Sequence, residues 1–311
     1  MKRQVITALA TPFLGGRLDV DSYLRLLEAQ KAAQCDVLVA GTTAEGALLS
    51  VRERKLLMSL TREYMPDTQM WVGVSSGITK RAIREAFWAE TMGANGIMIC
   101  PPSFFKCTEA GFCEHVRMIK RACNLPIMLY NAPTRCGYTL WKDAVKYLAD
   151  RQTVSCIKDA GSNTDYTAEI SKKIRLYCGN EELLAEFVGA GATGVVSVAS
   201  NVNPILTKKA LSCAGIVHKT KVLEESMAEP IKTSDVSNEG TRKSTTSPLA
   251  LRAKDIYAQY QQLVKLAFCE LNPIPVKYML YKMGIFRSFE MRLPLSAASY
   301  NTRHLIDEYL R

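Results

Sequence analysis

Histidine is scarce in this chain. Only His115, His218 and His304 occur among 311 residues. None stands at zinc-ligand spacing from another histidine or a cysteine, which disfavours a metal-dependent mechanism. Long apolar runs are missing too. Nothing approaches the roughly 18 consecutive apolar residues of a membrane span, so no membrane partner is expected. The basic residues form no compact run. The net charge of +10 and pI near 9.1 therefore read as a solvated basic surface or a field for anionic substrates, and not as a nucleic-acid site. No G-x-G-x-x-G follows the first apolar run, which disfavours a dinucleotide-binding fold. The start, Met1-Lys2-Arg3-Gln4-Val5-Ile6-Thr7, lacks the apolar core and cleavage site of a signal peptide and reads as a first strand. Ten cysteines are present, none in a C-x-x-C pair, and Cys35, Cys100, Cys156 and Cys178 sit in apolar runs. They read as buried free thiols of a reducing cytosol.

What is present is a regular alternation. Short apolar runs suited to buried strands recur near Val5–Leu9, Val37–Ala40, Met70–Val74, Gly96–Cys100, Pro126–Tyr130, Val154–Lys158, Leu176–Cys178 and Val195–Val198. Amphipathic stretches lie between them, among them Val20–Ala33, Val51–Tyr64, Thr79–Met92 and Cys113–Ala122. Strands without polar alternation, separated by helices, predict a parallel sheet covered on its outer face. About eight such units predict an α/β fold of the (β/α)8 TIM barrel type. The barrel core is expected over residues 1–204, followed by a C-terminal helical region over 205–311. Within that region, Pro230–Pro248 is rich in Ser, Thr, Asn, Lys and Glu and reads as a mobile insertion between two helices.

Lys158 is the most informative residue. It closes the run Val154-Ser155-Cys156-Ile157, where a buried ammonium costs several kcal/mol unless it is paired. Burial frees an amine as a nucleophile for a carbonyl carbon, and this end of a barrel strand faces the active site. A snorkelling or salt-bridged lysine is the plainer alternative. After the second strand, Gly41-Thr42-Thr43-Ala44-Glu45-Gly46 offers hydroxyls and N–H groups that can hold a carboxylate and relay a proton. A helix N-cap with an acidic first turn explains the same residues. The fifth strand ends in Tyr130-Asn131-Ala132-Pro133-Thr134-Arg135. There a phenol can exchange protons and an arginine can fork onto a carboxylate, unless the two are only a core tyrosine and a surface arginine. Gly179 permits close backbone approach after the seventh strand, and Val196 offers a small apolar wall in the eighth.

Together these segments make the chain resemble the dihydrodipicolinate synthase family of pyruvate-dependent aldolases. The likeness runs from Val5-Ile6-Thr7-Ala8-Leu9-Ala10-Thr11-Pro12-Phe13 to Leu293-Pro294-Leu295 and includes Asn272-Pro273-Ile274-Pro275-Val276-Lys277. The resemblance implies a lyase that condenses pyruvate with L-aspartate 4-semialdehyde through a Schiff base on Lys158, for diaminopimelate and lysine synthesis. It implies Tyr130 as proton donor and acceptor, Thr42 and Thr43 on the pyruvate carboxylate and in the relay, and Arg135 on the second carboxylate. Gly179 and Val196 would flank pyruvate. It further implies no cofactor, a cytoplasmic location and a homotetramer built as a dimer of dimers. Two other readings stand beside it: a relative cleaving 2-keto-3-deoxy sugar acids or N-acetylneuraminate, and a weakly catalytic binding homologue.

Two departures from the family pattern carry expectations. Pro102-Ser103-Phe104-Phe105 puts Phe104 where the family has a tyrosine that reaches a neighbouring subunit, so an incomplete proton relay and a lower turnover are expected. The positions that would bind a lysine effector read Gly46, Val51, Arg54, Gly77, Arg81 and Ser103. Arg81 replaces an acid there, so weak or absent lysine inhibition is expected.

Overall fold

The computed structural model describes residues 3–74, 76–103, 106–228 and 247–311. Phe104 and most of the Pro230–Pro248 segment lie outside these described residues. Eight parallel strands close into a barrel: β1 (Gln4–Ala8), β2 (Asp36–Val39), β3 (Met70–Val74), β4 (Gly96–Ile99), β5 (Ile127–Asn131), β6 (Cys156–Asp159), β7 (Arg175–Cys178) and β8 (Gly194–Ser197). Closure comes from β8 pairing with β1, with Gln4 beside Gly194 and Thr7 beside Ser197. The helices between them are α1 (Val20–Ala32), α2 (Val51–Tyr64), α3 (Thr79–Thr91), α4 (Glu109–Ala122), α5 (Lys142–Asp150), α6 (Thr164–Ile170) and α7 (Leu184–Gly189). Then come α8 (Pro204–Ala228), which packs on α7 and β1, and α9 (Pro248–Ala267), which packs on α8. The chain ends in α10 (Ile274–Lys282) and α11 (Tyr300–Tyr309). None of the described helices is long and apolar enough to cross a membrane.

Each expected strand is present, with ends displaced by one or two residues. One helix starts earlier than its apolar period suggests. Thr108 accepts a hydrogen bond from Gly111 N and caps α4 at Glu109, four residues before Cys113. A short hairpin, Phe13–Leu14 paired with Arg17–Leu18, turns on Gly15 and Gly16, both at positive φ. Its strands are two residues long, too short to show a period.

Side-chain alternation divides the barrel strands between two cores. Ile6, Leu38, Met98, Met128, Cys156, Tyr177 and Val196 fill the barrel interior. Val5, Val37, Ile97, Ile127, Ile157, Leu176 and Val195 point outward, against Leu26, Leu57, Val116 and other helix residues. The same parity carries Tyr130 and Lys158 into the interior, two residues above Met128 and Cys156. A lysine one position earlier or later would point into the apolar layer beneath the helices.

Candidate active site

Lys158 is 6 % exposed. Its Nζ lies 4.5 Å from the centre of the Tyr130 ring, and the two residues are direct register partners on β5 and β6. Among the described residues no carboxylate forms an ion pair with this amine. The neighbouring carboxylate is fully engaged elsewhere. Asp159 accepts from Asn131 Nδ2 at 2.8 Å, Gly161 N at 2.9 Å and Thr167 Oγ1 at 2.7 Å. Those bonds fix β6 against β5 and α6 and leave Lys158 available to a ligand. Gly179 makes the required space. A Cβ there would stand 2.8 Å from Lys158 Cγ and 2.9 Å from its Cε, far inside van der Waals contact.

The Gly41–Gly46 loop is drawn tight. Ala40 and Glu45 both adopt left-handed backbone at φ 54, unusual for residues other than glycine. Glu45 N donates to Thr42 O at 2.9 Å, and Thr11 Oγ1 donates to Ala44 O at 2.8 Å. Thr43 and Glu45 do not form the helix cap that sequence alone allowed. Instead the C-terminal region holds them. Asn272 Nδ2 donates to Thr43 Oγ1 at 3.1 Å, and Lys277 Nζ donates to Glu45 Oε1 at 2.6 Å. Arg292 N donates to Glu45 Oε2 at 2.9 Å. The Lys277 and Glu45 side chains are wholly buried. Burial pushes the Lys277 ammonium down from its ordinary range, and the Glu45 carboxylate opposes that. The two buried lysines therefore differ in kind: Lys277 is neutralised and structural, whereas Lys158 has no counter-ion.

Because Thr43 Oγ1 accepts from Asn272, its own hydrogen remains free to donate. Thr42 is half-buried beside it. Arg135 sits in the helical turn Pro133–Cys136, which starts on Pro133 and ends at Gly137 with φ 76. Its side chain is exposed and makes no ion pair among the described residues.

Lys158, Tyr130, Thr42, Thr43, Arg135 and Gly179 all line one cavity of about 320 Å³. Val196 lies deeper, 1 % exposed in the interior core beside Ala8 and Tyr130. Val198, two residues along, supplies the valine of the cavity wall. A second cavity of about 460 Å³ adjoins the first and shares Thr42, Tyr130, Arg135 and Asn272 with it. Sequence reasoning did not assign Glu181 a place here. Its buried carboxylate accepts from Val198 N at 2.6 Å, Ala199 N at 3.2 Å and the Tyr260 hydroxyl. It thereby ties the end of β8 to α9. Asn272 and Lys277 stood out only as part of a family-like string, without an assigned task.

The geometry can now be set beside known proteins. A family model described as the dihydrodipicolinate synthetase family matches residues 1–232. The chain belongs to this family. A 4-hydroxy-tetrahydrodipicolinate synthase of Rickettsia bellii (strain OSU 85-389) is 34 % identical over 312 residues, covering 98 % of this chain and 95 % of the relative. The dihydrodipicolinate synthase structure from Thermotoga maritima superposes with a TM-score of 0.83 at 28 % identity, covering 100 % of this chain and 98 % of that one. A chloride-inhibited dihydrodipicolinate synthase from Acinetobacter baumannii, complexed with pyruvate, gives a TM-score of 0.84 at 26 % identity, covering 100 % and 98 %. Family membership accords with the closed barrel and with helices following its eighth strand.

Proposed function

We propose that this member of the dihydrodipicolinate synthetase family is a Schiff-base lyase that condenses pyruvate with L-aspartate 4-semialdehyde, yielding 4-hydroxy-tetrahydrodipicolinate for diaminopimelate and lysine biosynthesis. One observation carries the reading: a buried amine without a counter-ion shares a single cavity with a phenol, two threonine hydroxyls and an unpaired guanidinium. Lys158 Nζ attacks C2 of pyruvate to give a carbinolamine, which loses water to form the imine. The iminium nitrogen then accepts the electron pair released when a C3 proton departs, giving an enamine. The enamine carbon attacks the aldehyde of the second substrate. The amine of that substrate displaces Lys158 by transimination, which closes the ring and frees the enzyme.

Tyr130 is placed to donate and accept the protons of carbinolamine and imine, 4.5 Å from the amine by its ring centre. Thr42 and Thr43 bind the pyruvate carboxylate and pass protons to and from Tyr130. The Asn272 bond to Thr43 leaves that hydroxyl's hydrogen directed to an acceptor elsewhere. Arg135, at the rim, takes the carboxylate of the semialdehyde as a forked pair. Gly179 makes room beside Lys158 and pyruvate, and Val196 lies in the apolar layer under them. We further propose that the enzyme acts in the cytoplasm as a homotetramer, a dimer of dimers, which sedimentation of the purified protein tests.

The substrate is tested by a coupled assay. Purified protein given pyruvate and L-aspartate 4-semialdehyde should turn over, while 2-keto-3-deoxy sugar acids and N-acetylneuraminate should not be cleaved. Cleavage of either sugar acid without condensation would overturn the assignment.

A further inference from the structure

The larger cavity carries two thiols that the proposed reaction does not use. Cys100 follows the last residue of β4. Cys136 ends the turn that bears Arg135. Both line the cavity wall, together with Tyr130. The two thiols hydrogen-bond to one another, and Cys136 also reaches the carbonyl oxygen of Pro101 at 3.4 Å. Cys136 is 5 % exposed, while Cys100 is half-buried. The adjoining Arg135 guanidinium presents positive charge to both.

We propose that Cys100 and Cys136 form an oxidisable dithiol in the wall of the substrate cavity, a modification site for hydroperoxides and other two-electron thiol oxidants. Thiolate character, access and a neighbouring resolving thiol are what make a cysteine pair responsive to oxidants. The two members divide those tasks. The Cys100 thiol donates to the Cys136 sulfur, which holds Cys136 below its ordinary range, with burial opposing and Arg135 assisting. The same contact and burial push Cys100 up. The remaining displaced cysteines, Cys35, Cys113, Cys123, Cys156, Cys178 and Cys213, are all moved upward, chiefly by burial. Cys136 is therefore the attacking sulfur and Cys100 the resolving one.

The Cys136 thiolate attacks one oxygen of the hydroperoxide. The O–O bond breaks, the leaving oxygen takes a proton, and Cys136 becomes a sulfenic acid. Cys100 then attacks the Cys136 sulfur. A sulfur–sulfur bond forms, and the sulfenic oxygen leaves as water with the proton of Cys100. For hydrogen peroxide, two thiols lose two electrons and one peroxide becomes two waters. An external dithiol reverses the step. The bond would tether the end of β4 to the turn that carries Arg135. An effect on turnover rests on the proposed function, but the thiol chemistry does not.

The test reads the two separately. The purified, fully reduced protein is treated with hydrogen peroxide, and an unreduced digest is mapped by mass spectrometry. A peptide pair joined through Cys100 and Cys136, two hydrogens lighter and released by dithiothreitol, is expected. In Cys100→Ser the cross-link should vanish, and Cys136 should instead be captured by dimedone. At neutral pH, iodoacetamide should label Cys136 about tenfold faster than Cys35 or Cys156. A cross-link of Cys136 to Cys107 in place of Cys100, or oxidation that leaves both Cys100 and Cys136 reduced, would overturn the proposal. If the cross-link forms but condensation activity is unchanged, the site stands and its influence on the reaction does not.

Discussion

Tyr130 and Lys158 face each other across neighbouring strands, and each has a distinct task to lose. Tyr130→Phe keeps the ring over the amine and removes only the hydroxyl. Steady-state kcat should fall by about 10²–10⁴-fold, the usual cost of one acid–base group, with circular dichroism unchanged. An unaltered kcat would remove Tyr130 from the proton path. Gly179→Ala tests position and not chemistry. Its methyl group would meet Lys158 Cγ at 2.8 Å, so the lysine must shift. A misplacement of about 1 Å costs roughly 10²-fold, and the rate of imine formation in stopped flow should fall by about that amount. A normal rate would show that Lys158 has room to spare.

At the scale of elements, the helices after the barrel act as a brace for the Thr42–Thr43 loop. Lys277 on α10 and Glu45 beside β2 are a fully buried pair. Removing one partner leaves an uncompensated buried charge, which costs about 3–5 kcal/mol. Lys277→Met should therefore lower the urea midpoint by that equivalent, without changing the slope. A midpoint within error of the parent would mean that Glu45 takes up a proton at little cost. The same region answers to acid. Arg292 holds the Glu53 carboxylate down to about 2, from an ordinary 4.5, by direct hydrogen bonding. Arg287 holds Asp19 down to about 2, from 3.8, in the same way. A carboxylate depressed in the folded state contributes stability that is present above its unfolded pKa and is lost as pH falls through the folded one. Melting temperature should thus decline from about pH 4.5 toward pH 2, and Glu53→Gln should flatten part of that decline. An identical acid profile for the variant would rule out the Arg292–Glu53 contact as a contributor.

At the scale of the whole molecule, the barrel is legible because its strands are buried on both faces and read as apolar runs. Lys158 stands out for the same reason: a charge closing such a run is conspicuous. Alternation within a strand places Tyr130 and Lys158 on one interior surface, but it does not set depth. Val196 and Val198 are two residues apart on β8 and just beyond it, and only the folded chain shows which of them reaches the cavity. The brace is less legible still. Thr43 and Asn272 are 229 residues apart, and Glu45 and Lys277 are 232 apart. No local period records such pairs. Motif-like strings marked both ends without showing that they touch. The dithiol escaped for a related reason, since Cys100 and Cys136 each look like ordinary apolar-run or turn cysteines until β4 and β5 are laid side by side.

The most direct measurement of the central claim is reductive trapping. The protein is incubated with pyruvate, reduced with borohydride, digested and mapped. The account predicts one pyruvate-derived adduct per chain, located on Lys158 and absent from Lys158→Ala. An adduct on any other lysine, or none while condensation activity persists, would contradict it.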